Sequence, residues 1–209
     1  MKANLRRTVR PLAAAAAAFA MGSTVLADVP TLSGTPCVVS EGLGLSERDT
    51  FRLENLMTSR TRGFAGALRA ENGEDRAVVS GLFQAGLAPV AAIPEGRYQC
   101  RTIKMGGIGP LVVYGWFQCE ITAGDAGLRI EKLTGSQRLS GRLTPAGEGL
   151  AYRGALHYSH EEPRDHGNAE FDQVGCLTKQ FEDGGSFVLE LPMPVFESEH
   201  DIIELVPAD

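Results

Sequence analysis

Arg138-Leu139-Ser140-Gly141-Arg142-Leu143-Thr144, followed shortly by Leu150-Ala151-Tyr152-Arg153-Gly154-Ala155-Leu156-His157, sets the fold class. In the first run Leu139, Gly141 and Leu143 fall on one side of an extended chain. In the second Leu150, Tyr152, Gly154 and Leu156 do the same. A repeat of two is that of a β-strand with one face buried.

Working outward, the same alternation recurs in runs bounded by Gly, Pro or Asp. The strands expected are 97–104, 112–122, 128–134, 138–144, 150–157, 171–179, 186–191 and 201–206. Links such as Ala123-Gly124-Asp125-Ala126-Gly127 and Glu182-Asp183-Gly184-Gly185 are hairpin turns. No helical crossover separates the runs, which argues against a parallel sheet. Eight antiparallel strands on short links predict an up-and-down barrel or strongly bent meander, with a two-sheet sandwich as the alternative. Interior glycines fit bent strands.

Before Pro94 the period is near 3.6. Ser46 reads as an N-cap with Asp49 in the capping-box position, opening an amphipathic helix of roughly 20 residues that Gly63 weakens. A second helix fits 75–85, ended by Gly86. The class is therefore mainly β (α+β).

The N-terminus carries Lys2, Arg6, Arg7 and Arg10, then an alanine-rich apolar run to Ala20, then Val25-Leu26-Ala27. This is the layout of a signal peptide cleaved after Ala27, too short and alanine-rich for a membrane span. Arg6-Arg7 leaves the twin-arginine route open beside the general secretory one. The layout expected is signal peptide 1–27, extended segment 28–44, helical segment 45–93 packed on the sheet, and barrel-like region 94–209, with 28–209 one folding unit. The expected location is periplasmic or secreted, without a stable membrane anchor. Removing the leader's four cations and no acids takes 20 basic residues to 16 against 26 acidic, a net charge of −10. Such a surface repels nucleic acid.

Four cysteines, 37, 100, 119 and 176, contain no C-x-x-C, so zinc-ribbon and thioredoxin chemistry have no support. If Lys104 and Tyr114 end one hairpin, residues whose numbers sum to about 219 face each other, and Cys100 and Cys119 satisfy this. Cys37 with Cys176 follows by elimination; the alternative is two buried free thiols.

Gly96-Arg97-Tyr98-Gln99-Cys100-Arg101-Thr102-Ile103-Lys104-Met105-Gly106, Phe117-Gln118-Cys119-Glu120-Ile121 and the run from Glu131 to Leu143 resemble blocks of a bacterial family known as domain of unknown function 4893 (DUF4893). Asp172-Gln173-Val174-Gly175, the run Leu191 to Ser198 and Glu204-Leu205-Val206-Pro207 extend the resemblance, and Leu45-Ser46-Glu47-Arg48-Asp49 fits more weakly. It covers about Leu43 to the C-terminus. It implies an exported bacterial protein and supplies no activity.

Arg101, Lys104, Gln137 and Arg138 are the polar residues inside the most specific blocks, and a guanidinium fork suits a carboxylate or phosphate. They are the candidate ligand or partner site. The structural alternative pairs them with Glu120, Glu131 or Asp172 to fix strand register. His157, His160 and His166 cluster with acids between 157 and 166 and are weak metal candidates, but the spacing is no ligand signature and the stretch reads as a polar loop. No nucleophile pattern emerges: Gly135-Ser136-Gln137 lacks the second glycine of a nucleophile elbow, and His200-Asp201 supplies base material alone. No cofactor motif is present. The Gly106-Gly107-Ile108-Gly109 stretch reads as a wide turn.

The leading expectation is a non-catalytic periplasmic binding or interaction protein for an unknown protein or small anionic ligand. Phe117, Ile130, Leu139, Leu156 and Leu189 would fill the barrel, which favours a surface site over a carrier cavity. The alternative is a hydrolase or metal-dependent enzyme using the His157–His166 region; a structural envelope component is a third reading. N-terminal sequencing of protein from the native host should give Asp28 first. Met1 or an acylated residue would overturn the localisation.

Overall fold

The computed structural model describes residues 36–124, 127–181 and 184–208. The expected signal peptide and cleavage point lie outside them. The strands are β1 (Leu87–Pro89), β2 (Gly96–Met105), β3 (Leu111–Val113), β4 (Phe117–Gly124), β5 (Gly127–Lys132), β6 (Gln137–Ala146), β7 (Gly149–Tyr158), β8 (Asp172–Gln180), β9 (Phe187–Pro192) and β10 (His200–Pro207). The helices are α1 (Glu47–Glu54), α2 (Leu56–Ala67) and α3 (Gly73–Gln84).

Eight strands, β2 and β4 through β10, pair antiparallel in chain order. β10 then returns to β2, from His200↔Met105 to Pro207↔Tyr98. This last ladder closes the barrel and leaves no room for the sandwich alternative. β3 extends the β4 side of β2, and β1 extends the β7 side of β8.

The barrel centre is solid. Tyr152, Ile121, Ile130, Leu143, Leu177 and Leu189 are almost fully buried and belong to one cluster with Leu139 and Cys100. Gly141 and Gly154 face each other across β6 and β7, and the Tyr152 ring lies over both. A Cβ on Gly154 would come within 2.3 Å of the Tyr152 hydroxyl oxygen and 2.2 Å of the Ser140 carbonyl oxygen. The Tyr152 hydroxyl donates to that same carbonyl at 3.1 Å. These glycines therefore make room for the aromatic plug. Of the five residues expected to fill the interior, Ile130, Leu139 and Leu189 do so. Phe117 packs half-buried against the cluster, and Leu156 is half-buried beyond it.

Helices cover one outer flank. Ile103, Met105, Val188 and Ile202 point outward and pack under Ala67, Val79 and Leu82 of α2 and α3. β9 and β10 are accordingly buried along nearly their whole length, because both their faces are covered. Leu53 and Leu56 pack with Cys37, Val174 and Cys176 outside β7 and β8.

The structure corrects four expectations. The single long helix breaks at Asn55 (φ −101°, ψ 19°), whose side-chain amide donates to the Phe51 carbonyl at 2.8 Å. Gly63, within α2, is in addition a contact residue: a Cβ there would lie 2.8 Å from the His200 Cβ, so its absence lets α2 lie close on β10. The strand expected over 112–122 is two, β3 and β4. Tyr114-Gly115-Trp116 oppose only Arg101 and Thr102, a bulge that shifts the ladder. Cys100 therefore faces Phe117 and Cys119 faces Tyr98, and the disulfide runs diagonally with its Cα atoms 5.8 Å apart. The second helix starts earlier than expected, capped by Asn72, which accepts the backbone N–H of Glu74 at 3.0 Å.

Both disulfides are present, Cys37–Cys176 spanning 139 positions and Cys100–Cys119 spanning 19. The longer loop removes more entropy from the unfolded chain. Denaturant unfolding should find the Cys37→Ala/Cys176→Ala protein destabilised by about 5 kcal/mol and the Cys100→Ala/Cys119→Ala protein by about 3 kcal/mol in the chain-entropy estimate. The reverse order would show that the 36–45 segment contributes little beyond its own contacts.

Candidate functional site: the polar end of the barrel

Alternation carries several strands from apolar to polar inside the barrel. On β2 the inward line runs Tyr98, Cys100, Thr102, Lys104; on β10 it runs Leu205, Ile203, Asp201. On β5, Lys132 follows Ile130; on β6, Gln137 precedes Leu139; on β8, Gln173 precedes Gly175 and Leu177. Asp201 lies opposite Lys104 in the closing ladder. The result is one barrel end lined by charged and amide groups above the Tyr152 plug.

Two ammonium groups converge on Gln137. Lys104 Nζ donates to its side-chain Oε1 at 3.1 Å, and Lys132 Nζ donates to its backbone carbonyl at 2.8 Å. Lys104 also pairs with Glu197, which reaches in from the β9–β10 loop. Lys132 lies 4.0 Å from the centre of the Phe117 ring and, among the described residues, has no carboxylate in ion-pair range. Lys104 and Lys132 are 7% and 6% exposed, so both charges are largely withdrawn from water. Burial lowers the Lys104 pKa, but Glu197 and Asp201 outweigh it and hold the group above its ordinary value. For Lys132, burial and the charges of Lys104 and Arg138 all act downward, to about 8. Burial pushes the Asp201 carboxyl up to about 6, against a hydrogen bond from Ser198 and the charge of Lys104.

A cleft of about 180 Å³ opens at Lys132, lined also by Thr102, Tyr114, Phe117, Ser136 and Gln137. On the other side a space of about 10 Å³, the size of one water molecule, is lined by Lys104, Gln173, Asp201 and the Phe171–Phe196 pair. Gln173 Oε1 is buried without a hydrogen-bond partner there.

Of the four predicted site residues, the structure brings together Lys104 and Gln137 only. Arg101 and Arg138 sit on the outer face. Arg101 pairs with Glu204, its neighbour across β10, and lies 4.6 Å over the Trp116 ring. The partners expected for it are engaged elsewhere: Glu120 with Arg97, Glu131 with Arg129, and Asp172 with His166. Arg138 donates to the Gly135 carbonyl at 3.1 Å. Lys132, Asp201 and Gln173 were not foreseen as site residues. Their signal was the polar residue in phase with an apolar strand face.

Residues 44–205 match a family described as a domain of unknown function, DUF4893. The chain belongs to this family. The match runs from before α1 to Leu205 within β10 and takes in all five residues of the barrel's polar end, while Cys37 lies outside it. No curated protein and no solved structure matches the chain.

The histidines of the DUF4893 domain do not gather. His157 turns its Nδ1 toward the Tyr158 carbonyl, and His160 stacks on Tyr158. His166 joins Asp49 at 3.0 Å and Asp172 at 3.7 Å, a trio with metal-ligand atoms within 4.8 Å of one another. Its carboxylates are already engaged: Asp49 with Ser46 and Arg52, and Asp172 with the N–H groups of Gly167 and Asn168. Buried Asp49 still sits well below the usual carboxylate range, because the bonds from His166, Ser46 and Arg52 together outweigh burial. This trio ties the 159–171 loop to α1.

His200 belongs to a second buried line. Its Nδ1 is 2.9 Å from Ser59 Oγ and its Nε2 is 3.2 Å from Glu190, which also pairs with Arg60. The order resembles a nucleophilic triad. All three residues are fully buried, and the Ser59 hydroxyl donates to the Glu199 carbonyl at 2.6 Å while accepting the Met193 N–H at 3.1 Å. The line fastens α2 to the β9–β10 loop.

Asp201 gives this site a pH signature. The folded protein binds a proton there near pH 6, against 3.8 for an ordinary aspartate. Its contribution to stability is full below the lower value and is lost as pH rises through the higher one. Asp201→Asn should remove that loss. Between about pH 4 and about pH 7, urea unfolding should show the variant gaining on wild type by on the order of 1–3 kcal/mol. A difference that stays constant with pH would show that Asp201 titrates as an ordinary carboxylate.

Proposed function

We propose that this is an exported, non-catalytic binding protein that holds a small anionic ligand at the polar end of its barrel. The observation that carries the reading is Lys132: a buried ammonium at a cleft, with no acid beside it among the described residues and a second lysine converging on the same glutamine. A buried charge is costly unless it is paired. An anion in the cleft would supply the missing partner. The solid centre around Tyr152 leaves no apolar chamber there, which sets this site apart from a carrier of large hydrophobic molecules.

Export is supported by the two disulfides, which persist in oxidising compartments, and by the leader-like N-terminus. No helix among the described residues is long and apolar enough to cross a membrane.

Calorimetric titration with acetate, succinate, phosphate and sulfate tests the reading. At least one should bind wild type, and Lys132→Met, with its melting curve retained, should bind it about ten-fold or more weakly. Affinity should also fall as pH rises past about 8, where Lys132 loses its charge. Absence of binding by every anion, or equal binding by Lys132→Met, would sink the proposal.

A further inference from the structure

We infer that Glu197 is an internal stand-in for the ligand, and that the ligand is a dicarboxylate whose two carboxylates bridge Lys104 and Lys132 after displacing Glu197. This rests on the anion reading above and adds the ligand's class and the group with which it competes.

Three observations lead there. First, the structure already contains a carboxylate on Lys104, and it comes from a rim side chain that is 44% exposed, whereas Lys104 itself is 8% exposed at its side chain. A half-exposed acid on a buried cation can swing into water at little cost to itself. Second, the backbone is constrained to deliver it. Among the described residues, Met193 (φ 46°) and Glu197 (φ 73°) are the non-glycine residues with positive φ, and both lie between β9 and β10. Such conformations are uncommon outside glycine and persist where the surroundings enforce them, often at ligand clamps. Here Ile108 donates its N–H to the Glu197 carbonyl at 2.9 Å, and the Gly107 backbone lies too close to that carbonyl to carry a side chain. The backbone is held, so the side chain is the moving part. Third, Lys104 is not stranded when Glu197 leaves. Asp201 lies opposite it in the ladder and keeps a carboxyl beside the ammonium, held by Ser198.

Both ammonium groups hydrogen-bond to Gln137, one to its side chain and one to its backbone. A short diacid that displaces Glu197 would set one carboxylate on each ammonium, with Gln137 between them. A monocarboxylate fills only the open seat on Lys132, and Glu197 keeps the other. An internal competitor lowers apparent affinity by the fraction of time it holds its seat.

Titration of the full mature chain with succinate and with butyrate, which has the same carbon count and one carboxylate, decides the matter. Wild type should prefer succinate. Glu197→Gln should tighten succinate by about ten-fold while changing butyrate by about two-fold or less. Lys104→Met should abolish the preference for succinate and leave butyrate binding. Circular dichroism and melting curves confirm that the variants fold. If wild type and Glu197→Gln bind some anion equally well, or the two acids respond alike, the gate is wrong and the anion site stands. If neither protein binds any anion, both fall.

Discussion

The ladder between β2 and β10 is the constraint from which the rest of the molecule follows. It joins the first and last strands of the meander over eight paired positions and turns an open sheet into a barrel. An eight-stranded barrel has an interior just wide enough for its own side chains. Every inward residue must then either pack into the apolar centre or find polar company near an end. Tyr152 with its paired glycines takes the first course. Lys104, Lys132, Gln137, Gln173 and Asp201 take the second. Closure also fixes which groups meet, because it sets Asp201 opposite Lys104 although the two are far apart in the chain.

The outer faces obey a different rule. β9 and β10 are covered by α2 and α3, so the outward acids Glu190 and Glu204 are buried as well and need partners. Glu190 receives Arg60 and His200, and Glu204 receives Arg101 and Ser186. Buried ion pairs contribute little net stability, but removing one partner leaves an uncompensated charge and costs several kcal/mol. The Glu190 network fixes α2 on β9 and β10, and that is why a serine, a histidine and a glutamate line up here without an exposed hydroxyl. Chemistry needs a group with spare hydrogen-bonding capacity next to open space, and Ser59 has neither.

Much of the fold was legible because alternation with a period of two survives wherever one strand face differs from the other. The runs ending at Thr144 and beginning at Leu150 show it plainly and became β6 and β7. Legibility failed where tertiary context replaced the local signal. Asn55 breaks a helix whose apolar spacing runs through it. The bulge at Tyr114-Gly115-Trp116 shifts the ladder away from the register that sets Cys100 directly opposite Cys119; the disulfide forms because a diagonal pair still brings the sulfurs together. β1 is three residues long and exists only because β8 offers it an edge.

The site was half legible for a related reason. Arg101 and Lys104 stood out for their chemistry, but they lie three apart on one strand and so face opposite ways. Phase, rather than chemistry, separates them: Lys104 shares the face of Cys100, and Arg101 does not. The same test singles out Lys132 after Ile130 and Asp201 before Ile203 and Leu205. A charged residue in phase with a buried strand face must find a partner inside the barrel or lie at its mouth. Asp201 lies opposite Lys104 across the closing ladder, near enough for its charge to act on the ammonium, and Glu197 pairs with Lys104 from the rim. For Lys132 the barrel supplies a carbonyl and an aromatic ring, which ease the charge without neutralising it. The charge left over at the mouth of an otherwise acidic protein is therefore the feature on which the proposed anion site rests.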